Sequence, residues 1–148
     1  MKKVFTLLFI CIMFTGCDDT DEGILCATGP VGLTFEVVDK ETGKNLFANG
    51  SYEENQLTIV DKKGEAVEFS FLAEREVLNV LLGWGSKSDT YTVNIGEEIT
   101  FTIAFTLQES SSGDCTSTGL TALEIEGATF EISENSEVAT ILVSAGGS

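Results

Sequence analysis

The stretch TFTIAFTL, residues 100–107, decides the fold class. Phe101, Ile103, Phe105 and Leu107 alternate with threonine or alanine along the whole stretch. Successive side chains of a β-strand point to opposite faces of the sheet, so a period of two predicts a strand with one buried face. No window of a dozen residues beyond the apolar N-terminus shows helical periodicity, which favours an all-β domain.

The same pattern recurs along the chain. Alternating or apolar runs occupy residues 33–38, 57–61, 67–71, 77–82, 90–95, 120–126, 130–132 and 138–143. Gly43, Gly64 and Gly96 lie between such runs, as glycines do in hairpin turns. The only proline, Pro30, precedes the first run and interrupts no strand pairing. We expect an immunoglobulin-like or transthyretin-like antiparallel β-sandwich of about seven to nine strands.

The N-terminus has the order of an export signal. Two lysines precede an almost wholly apolar run, residues 4–14, which is shorter than the roughly 20 residues of a membrane-spanning helix. The run ends in FTGC, residues 14–17, which resembles the lipobox of bacterial lipoproteins, with phenylalanine where leucine is common. The resemblance implies cleavage after residue 16 and lipid attachment to Cys17, and therefore a membrane anchor. A plain signal peptide is the alternative.

An acidic segment, DDTDEG, follows Cys17. Four acids in six positions repel one another and bury no apolar surface, so we expect an extended tether. Such runs resemble the surface-export signals of Bacteroidetes-type lipoproteins, which implies an outer-membrane, surface-exposed location. Asp18 directly after the cysteine also resembles an inner-membrane retention signal, so a periplasm-facing location stays open. We divide the chain into a signal peptide (1–16), tether (17–24), β-sandwich domain (25–145) and tail (146–148).

The cysteines predict one disulfide. Cys11 lies in the signal peptide and Cys17 in the lipobox, which leaves Cys26 and Cys115. Export brings these two thiols into an oxidising compartment, where they are expected to pair. A metal pair or a redox pair is the alternative, but the C-x-x-C spacing of redox pairs is absent. Residues 109–119 around Cys115 are rich in serine and glycine, which predicts a long loop. The disulfide would hold this loop near the N-terminus.

The stretch CATGPVGLTFEVVDKETGKNLFANG, residues 26–50, resembles small Bacteroidetes lipoproteins with a Cys-x-Thr-Gly-Pro start. Those proteins have no established activity. The resemblance therefore implies lipidation, surface location and a β fold, and it supplies no catalytic residue. The segment VVDKETGKNL within it also resembles the opening hairpin of Cna-B-like and carboxypeptidase-regulatory-like modules.

The amino-acid composition excludes several classes of partner and of catalytic site. The chain carries 8 basic and 24 acidic residues, a net charge of −16, which argues against a nucleic-acid partner. It has no histidine, which removes Ser-His and Cys-His nucleophile pairs and histidine-bearing zinc sites. The acidic segment does not fit an EF-hand loop. We expect no catalytic residue, no cofactor and no metal site; a carboxylate-dependent hydrolase is the alternative.

One aromatic residue stands apart from the core pattern. Trp84 lies in GWGS, between two glycines at the end of an apolar run. The favoured interpretation is that its indole folds back over the core, and the alternative is an exposed contact for a protein or glycan. The sequence as a whole favours a membrane-anchored, non-catalytic binding or accessory module, with Trp84 as the first candidate contact.

Overall fold

The computed structural model of the chain describes residues 26, 28–132, 134 and 136–145, and these form an almost entirely β structure. The strands are β1 (Val31–Asp39), β2 (Leu57–Asp61), β3 (Phe69–Leu72), β4 (Val77–Gly83), β5 (Lys87–Ile95), β6 (Ile99–Ser112), β7 (Cys115–Glu126), β8 (Thr129–Ile132) and β9 (Val138–Val143). The described part contains one 3-10 turn, Glu54–Gln56, and no α-helix. The predicted signal peptide, Cys17, the tether and the C-terminal tail lie outside the described residues.

Two sheets share the strands. One has the order β3-β4-β1-β9-β8 and the other the order β2-β5-β6-β7. Each of the nine runs predicted from alternation corresponds to a strand, so the expected β-rich fold and its strand count are confirmed. The expected antiparallel pairing holds for every named strand pair except one, since β1 and β9 run parallel from the pair Thr34 and Val138 to the pair Asp39 and Val143.

The two sheets bury their facing sides in one hydrophobic core, as in a β-sandwich. Alternate residues of the central strands have almost no exposed surface, including Phe35 on β1 and Phe101 on β6. The outer faces of the same strands carry mostly threonine, asparagine and glutamate. The stretch that decided the fold class, TFTIAFTL, buries all four of its large apolar side chains in this core.

Two aspartates organise two hairpin turns in the same way. The Asp39 carboxylate accepts hydrogen bonds from the N–H of Glu41 (3.1 Å) and the hydroxyl of Thr42 (2.8 Å). The Asp61 carboxylate accepts from the N–H groups of Lys63 (2.8 Å) and Glu65 (2.9 Å). Aspartate favours such turns because its short side chain bonds to the backbone two residues on.

Glycine completes both of these turns. Gly43 and Gly64 adopt φ values of 68° and 82°, in the left-handed region that a residue with a Cβ enters at a cost. Their N–H groups donate to the carbonyl oxygens of Asp39 and Asp61, at 2.8 and 2.9 Å. The Asp-Lys start and the later glycine are therefore local sequence features with a direct structural role.

The aspartates of these two turns are expected to make the free energy of unfolding fall as the pH becomes acidic. The hydrogen bond from the Thr42 hydroxyl, then that from the Glu41 N–H, lowers the pKa of Asp39 below its ordinary value of 3.8. The N–H of Glu65 is the largest cause of the lowered pKa of Asp61. A carboxyl with a lowered folded-state pKa contributes stability that is full above its unfolded pKa and is lost as pH falls through the folded pKa.

We therefore expect the double variant Asp39→Asn, Asp61→Asn to lose less stability than wild type between about pH 5 and pH 3. Asparagine does not titrate in this range. At position 61 its one oxygen can accept both hydrogen bonds, which go to the same atom, whereas at position 39 it can accept only one of the two, from the N–H of Glu41 or from the Thr42 hydroxyl. Urea midpoints followed by circular dichroism across this range measure the difference. Neutralising the other carboxylates affects both proteins alike, so parallel pH profiles would contradict the assignment.

Candidate interaction site

One end of the molecule gathers three chain segments. The start of β1 lies beside the end of β4, since Val31 pairs with Gly83, and the start of β5 lies beside β6, since Lys87 pairs with Leu107. From there β6 and β7 continue outward as a hairpin. We call this region the hairpin end and define it as Cys26 with residues 28–30, 84–86 and 108–119. The disulfide, the exposed Trp84 and the part of the hairpin that extends past the core all lie in this region.

The hairpin corrects one prediction. Residues 109–119, expected to be a long loop, are instead the paired ends of β6 and β7, with a turn at residues 113 and 114. Cross-strand hydroxyls line it: Ser110 lies 3.1 Å from Ser117, and Ser111 lies 3.4 Å from Thr116. Most of its side chains are exposed, because it extends past the hydrophobic core.

A disulfide joins Cys26 to Cys115, as the sequence predicted. The two Cα atoms are 5.4 Å apart, and 89 positions separate the residues along the chain. Cys115 is the first residue of β7, next to the hairpin turn. The bond therefore ties the chain segment before β1 to the tip of the hairpin. Cys17, the predicted lipidation site, lies nine positions before Cys26 and outside the described residues.

Trp84 lies at the hairpin end with 56% of its surface exposed. The favoured expectation, an indole folded back over the core, is wrong. Gly83 and Gly85 have φ values of 109° and 75°, and together they turn the chain from β4 into β5 with the Trp84 side chain facing solvent. The alternative interpretation, an exposed aromatic on a loop, describes the observed arrangement.

The backbone that carries Trp84 is held in place. The N–H of Gly85 donates to the hydroxyl of Thr118 on β7 at 3.1 Å. The hydroxyl of Ser86 accepts from the N–H of Glu109 on β6 at 3.0 Å. The turn is thus bonded to both strands of the hairpin, and the hairpin is bonded through Cys115 to the N-terminal segment. An exposed aromatic on a fixed backbone binds a partner with little loss of conformational entropy.

The carboxylates show no arrangement suited to hydrolysis in the part of the chain that is described. Glu53, Glu54, Glu97 and Glu98 are all exposed, in line with solvated turn positions. A general acid at neutral pH needs a raised pKa, whereas Asp39 has a lowered one because it accepts turn hydrogen bonds. Within the described ranges no three acidic, cysteine or histidine side chains come together as a metal site would require.

Shallow depressions mark the outer faces of the sheets. One, of about 460 Å³, lies over β5, β6 and β7, beside the ion pair of Lys62 with Asp89 (3.4 Å). Another, of about 550 Å³, lies over β3 and β4 between Phe69 and Leu81. Small-molecule pockets usually enclose most of the ligand and are lined mainly by apolar side chains, whereas these depressions are wide open and have mixed linings, so we assign no ligand to them.

The comparisons with known proteins add no relative. No protein-family model, no curated protein and no solved structure matches the chain. The resemblance to small Bacteroidetes lipoproteins therefore stays a prediction. Among the described residues, no helix has the length and apolar character needed to cross a bilayer.

Two features of the hairpin end were not found from the sequence. The extension of β6 and β7 was missed, although Ser-Gly-Asp at residues 112–114 is a plausible turn between two serine- and threonine-rich arms. The contacts of the turn around Trp84 were also missed. Thr118 and Glu109 lie more than 20 positions away in sequence, and nothing local indicates that they bind this turn.

Proposed function

We propose that the protein is a membrane-anchored, extracytoplasmic lipoprotein that acts as a non-catalytic binding or accessory module, with the hairpin end as its contact surface. The observation that carries the proposal is the exposed Trp84 on a turn bonded to both strands of a disulfide-tied hairpin. Tryptophan is among the residues most enriched at the energetic centres of protein interfaces. Its sugar-stacking face also suits a glycan partner.

The position of the disulfide supports a contact close to the membrane. If Cys17 carries the lipid, the chain from Cys17 to Cys26 spans at most about 30 Å when fully extended. Cys26 is bonded to Cys115 at the hairpin tip, so the hairpin end would lie within that distance of the lipid surface. A partner embedded in or bound to the same membrane would then be within reach of the hairpin end, which carries Trp84.

The proposal also includes the finer assignments made from the sequence. These are the lipoprotein signal peptide, the acidic tether, a surface-exposed outer-membrane location and an immunoglobulin-like or transthyretin-like strand arrangement. The parallel pairing of the first and last strands, and the packing of two sheets on one core, support a β-sandwich of this general kind. The periplasm-facing location remains the alternative to the surface-exposed one.

The alternative function, a carboxylate-dependent hydrolase, has no observation in its favour among the described residues. Such an enzyme needs two carboxylates facing each other across a cleft that holds the substrate. The acidic pairs at residues 53–54 and 97–98 lie on exposed turns, and the depressions on the sheet faces are shallow. Turnover abolished by one aspartate or glutamate substitution would reverse this preference.

Replacing Trp84 with alanine tests the contact surface. We expect partner capture from solubilised envelopes of the producing cells to weaken by about 30-fold or more, as for a central interface tryptophan. We expect the unfolding free energy to change by less than about 0.5 kcal/mol, because an exposed side chain adds little to stability. Pull-down with quantitative mass spectrometry and thermal melting measure the two effects.

Ile132→Ala is the matched control for this experiment. Ile132 is 58% exposed, like Trp84, but it lies on β8, three strands from β4 in the same sheet. Its replacement should leave capture unchanged. Equal losses for the two variants, or no loss for either, would contradict the assignment of the contact to Trp84. A large drop in melting temperature for Trp84→Ala would show a structural role instead.

A further inference from the structure

The four edge strands of the two sheets differ in how well their free edges are protected. β3 and β8 have four residues each. β2 has five residues, and its outer edge is partly paired, since the N–H of Val67 donates to the carbonyl of Ile59 at 2.9 Å. β7 has 12 residues, and among the described residues β6 is its only sheet neighbour. The longest edge is thus the one left open.

β7 also lacks most of the features by which proteins block an edge. Lysine, proline, inward charges, bulges and short length are the usual means. Residues 115–123 contain neither proline nor a charged side chain, in a chain with a net charge of −16. A bulge does occur, because the register with β6 shifts between Thr106 and Leu107, opposite Thr121. Within the described ranges, residues 115–120 are therefore an uncharged stretch with no strand on its outer side, and Cys115 at its start carries the disulfide to Cys26.

We propose that this edge, residues 115–120 of β7, binds an extended segment of a basic partner protein as an additional strand of the sheet. The proposal rests on the proposed binding function, because the edge is largely part of the hairpin end, and it names the mode of contact and the chemistry of the partner. Backbone N–H and C=O groups on the free edge of β7 would pair with those of the added strand. The segment needs no defined side-chain pocket, which agrees with the shallow surface of the molecule.

Charge identifies the partner segment as basic. Asp114 precedes the edge in the hairpin turn, Glu124 and Glu126 follow it along β7, and Glu109 lies on β6 opposite Thr118. All four are exposed, and no lysine or arginine lies between residues 99 and 126. A strand with lysine or arginine near its ends would meet these carboxylates, whereas an acidic strand would be repelled.

The same charges argue against two other occupants. The predicted acidic tether, residues 18–22, has the same charge as Asp114, Glu124 and Glu126 and would be repelled from this edge. A second copy would pair two chains of net charge −16. If both copies were anchored, antiparallel pairing of the two β7 strands would also turn one hairpin end away from the membrane. A basic, extended segment of another protein is therefore the occupant that the structure favours.

Binding of short synthetic peptides to the purified protein, in a form of the chain that begins at Asp18, tests the proposal. The first alternates valine and threonine with lysine near both ends, the second has glutamate in place of each lysine, and the third is the lysine peptide with alternate backbone nitrogens methylated. We expect the lysine peptide to bind and to slow hydrogen exchange at alternate amides of residues 115–120. Both other peptides should bind at least about tenfold more weakly, because one is repelled and the other lacks N–H donors.

Ser117→Lys should weaken binding of the lysine peptide at least about tenfold, since it places a repelling charge on the edge. Ser70→Lys, on the exposed face of β3, is the control and should not change it; circular dichroism checks that both variants fold. Equal binding of the methylated peptide, protection outside β7, or self-association without peptide would overturn the proposal. Peptide binding is measured with Trp84 in place and partner capture is measured separately with Trp84→Ala, so failure of the edge proposal is distinguishable from failure of the Trp84 surface.

Discussion

Replacing Phe35 with alanine is expected to lower the free energy of unfolding by about 3–5 kcal/mol. Phe35 lies on β1, the strand paired with both β4 and β9, and its side chain has no exposed surface. The loss combines the transfer free energy of the ring with the cavity it leaves, because strands held on both sides move little to fill it. Domains of this size are stable by only about 5–15 kcal/mol, so much of the stability would be lost.

Urea unfolding followed by far-ultraviolet circular dichroism measures this effect. Fluorescence of the single tryptophan is a poor probe here, because Trp84 is already exposed in the folded state. Phe130→Ala is the control, since Phe130 lies on the edge strand β8 and is only partly buried. Its expected loss is less than half that of Phe35→Ala. Equal losses at the two positions would show that β1 is not at the centre of the core.

The second large effect concerns the disulfide. Replacing Cys115 with serine should destabilise the domain by about 2–5 kcal/mol, because the bond closes a loop of 89 positions and restricts the unfolded chain. The folded state should also change locally. Without the bond, the amides of residues 110–117 should exchange faster, since the hairpin lies beyond the core and loses its covalent tie to Cys26.

Reduction provides the control for this prediction. In a form of the chain that begins at Asp18, Cys26 and Cys115 are the only cysteines. Reduced wild type should then unfold at the same urea concentration as Cys115→Ser, and oxidised wild type at a clearly higher one. Identical midpoints for oxidised and reduced wild type would mean that the bond does not stabilise the fold.

The strands and turns were predictable because their causes are local. Residues 100–107 alternate since one face of β6 is buried, and this period is visible without knowledge of the partner strands. Asp39 with Gly43, and Asp61 with Gly64, form turns through bonds within five residues. The disulfide followed from the number of cysteines and the expected oxidising compartment, with no geometry required.

The remaining features depend on contacts between distant residues. The outer part of the β6–β7 hairpin extends past the core and buries neither face, so its sequence has no apolar period to reveal it. The parallel pairing of β1 with β9 joins residues about 100 positions apart. The turn that carries Trp84 is bonded to the hairpin through the Gly85 N–H to Thr118 and the Glu109 N–H to Ser86, and no local pattern encodes these contacts.

The central claim is that the hairpin end of an anchored domain is a binding surface. Site-specific photo-crosslinking in intact producing cells tests it most directly. A benzophenone amino acid at position 84 should give one dominant adduct in the membrane fraction, and the same group at position 132 should not. Adding Cys17→Ser should remove the protein from the membrane fraction and reduce the adduct, because the tether no longer holds the hairpin end near its partner. Adducts of equal yield at positions 84 and 132, or a Cys17→Ser protein that remains anchored at mature size, would contradict the account.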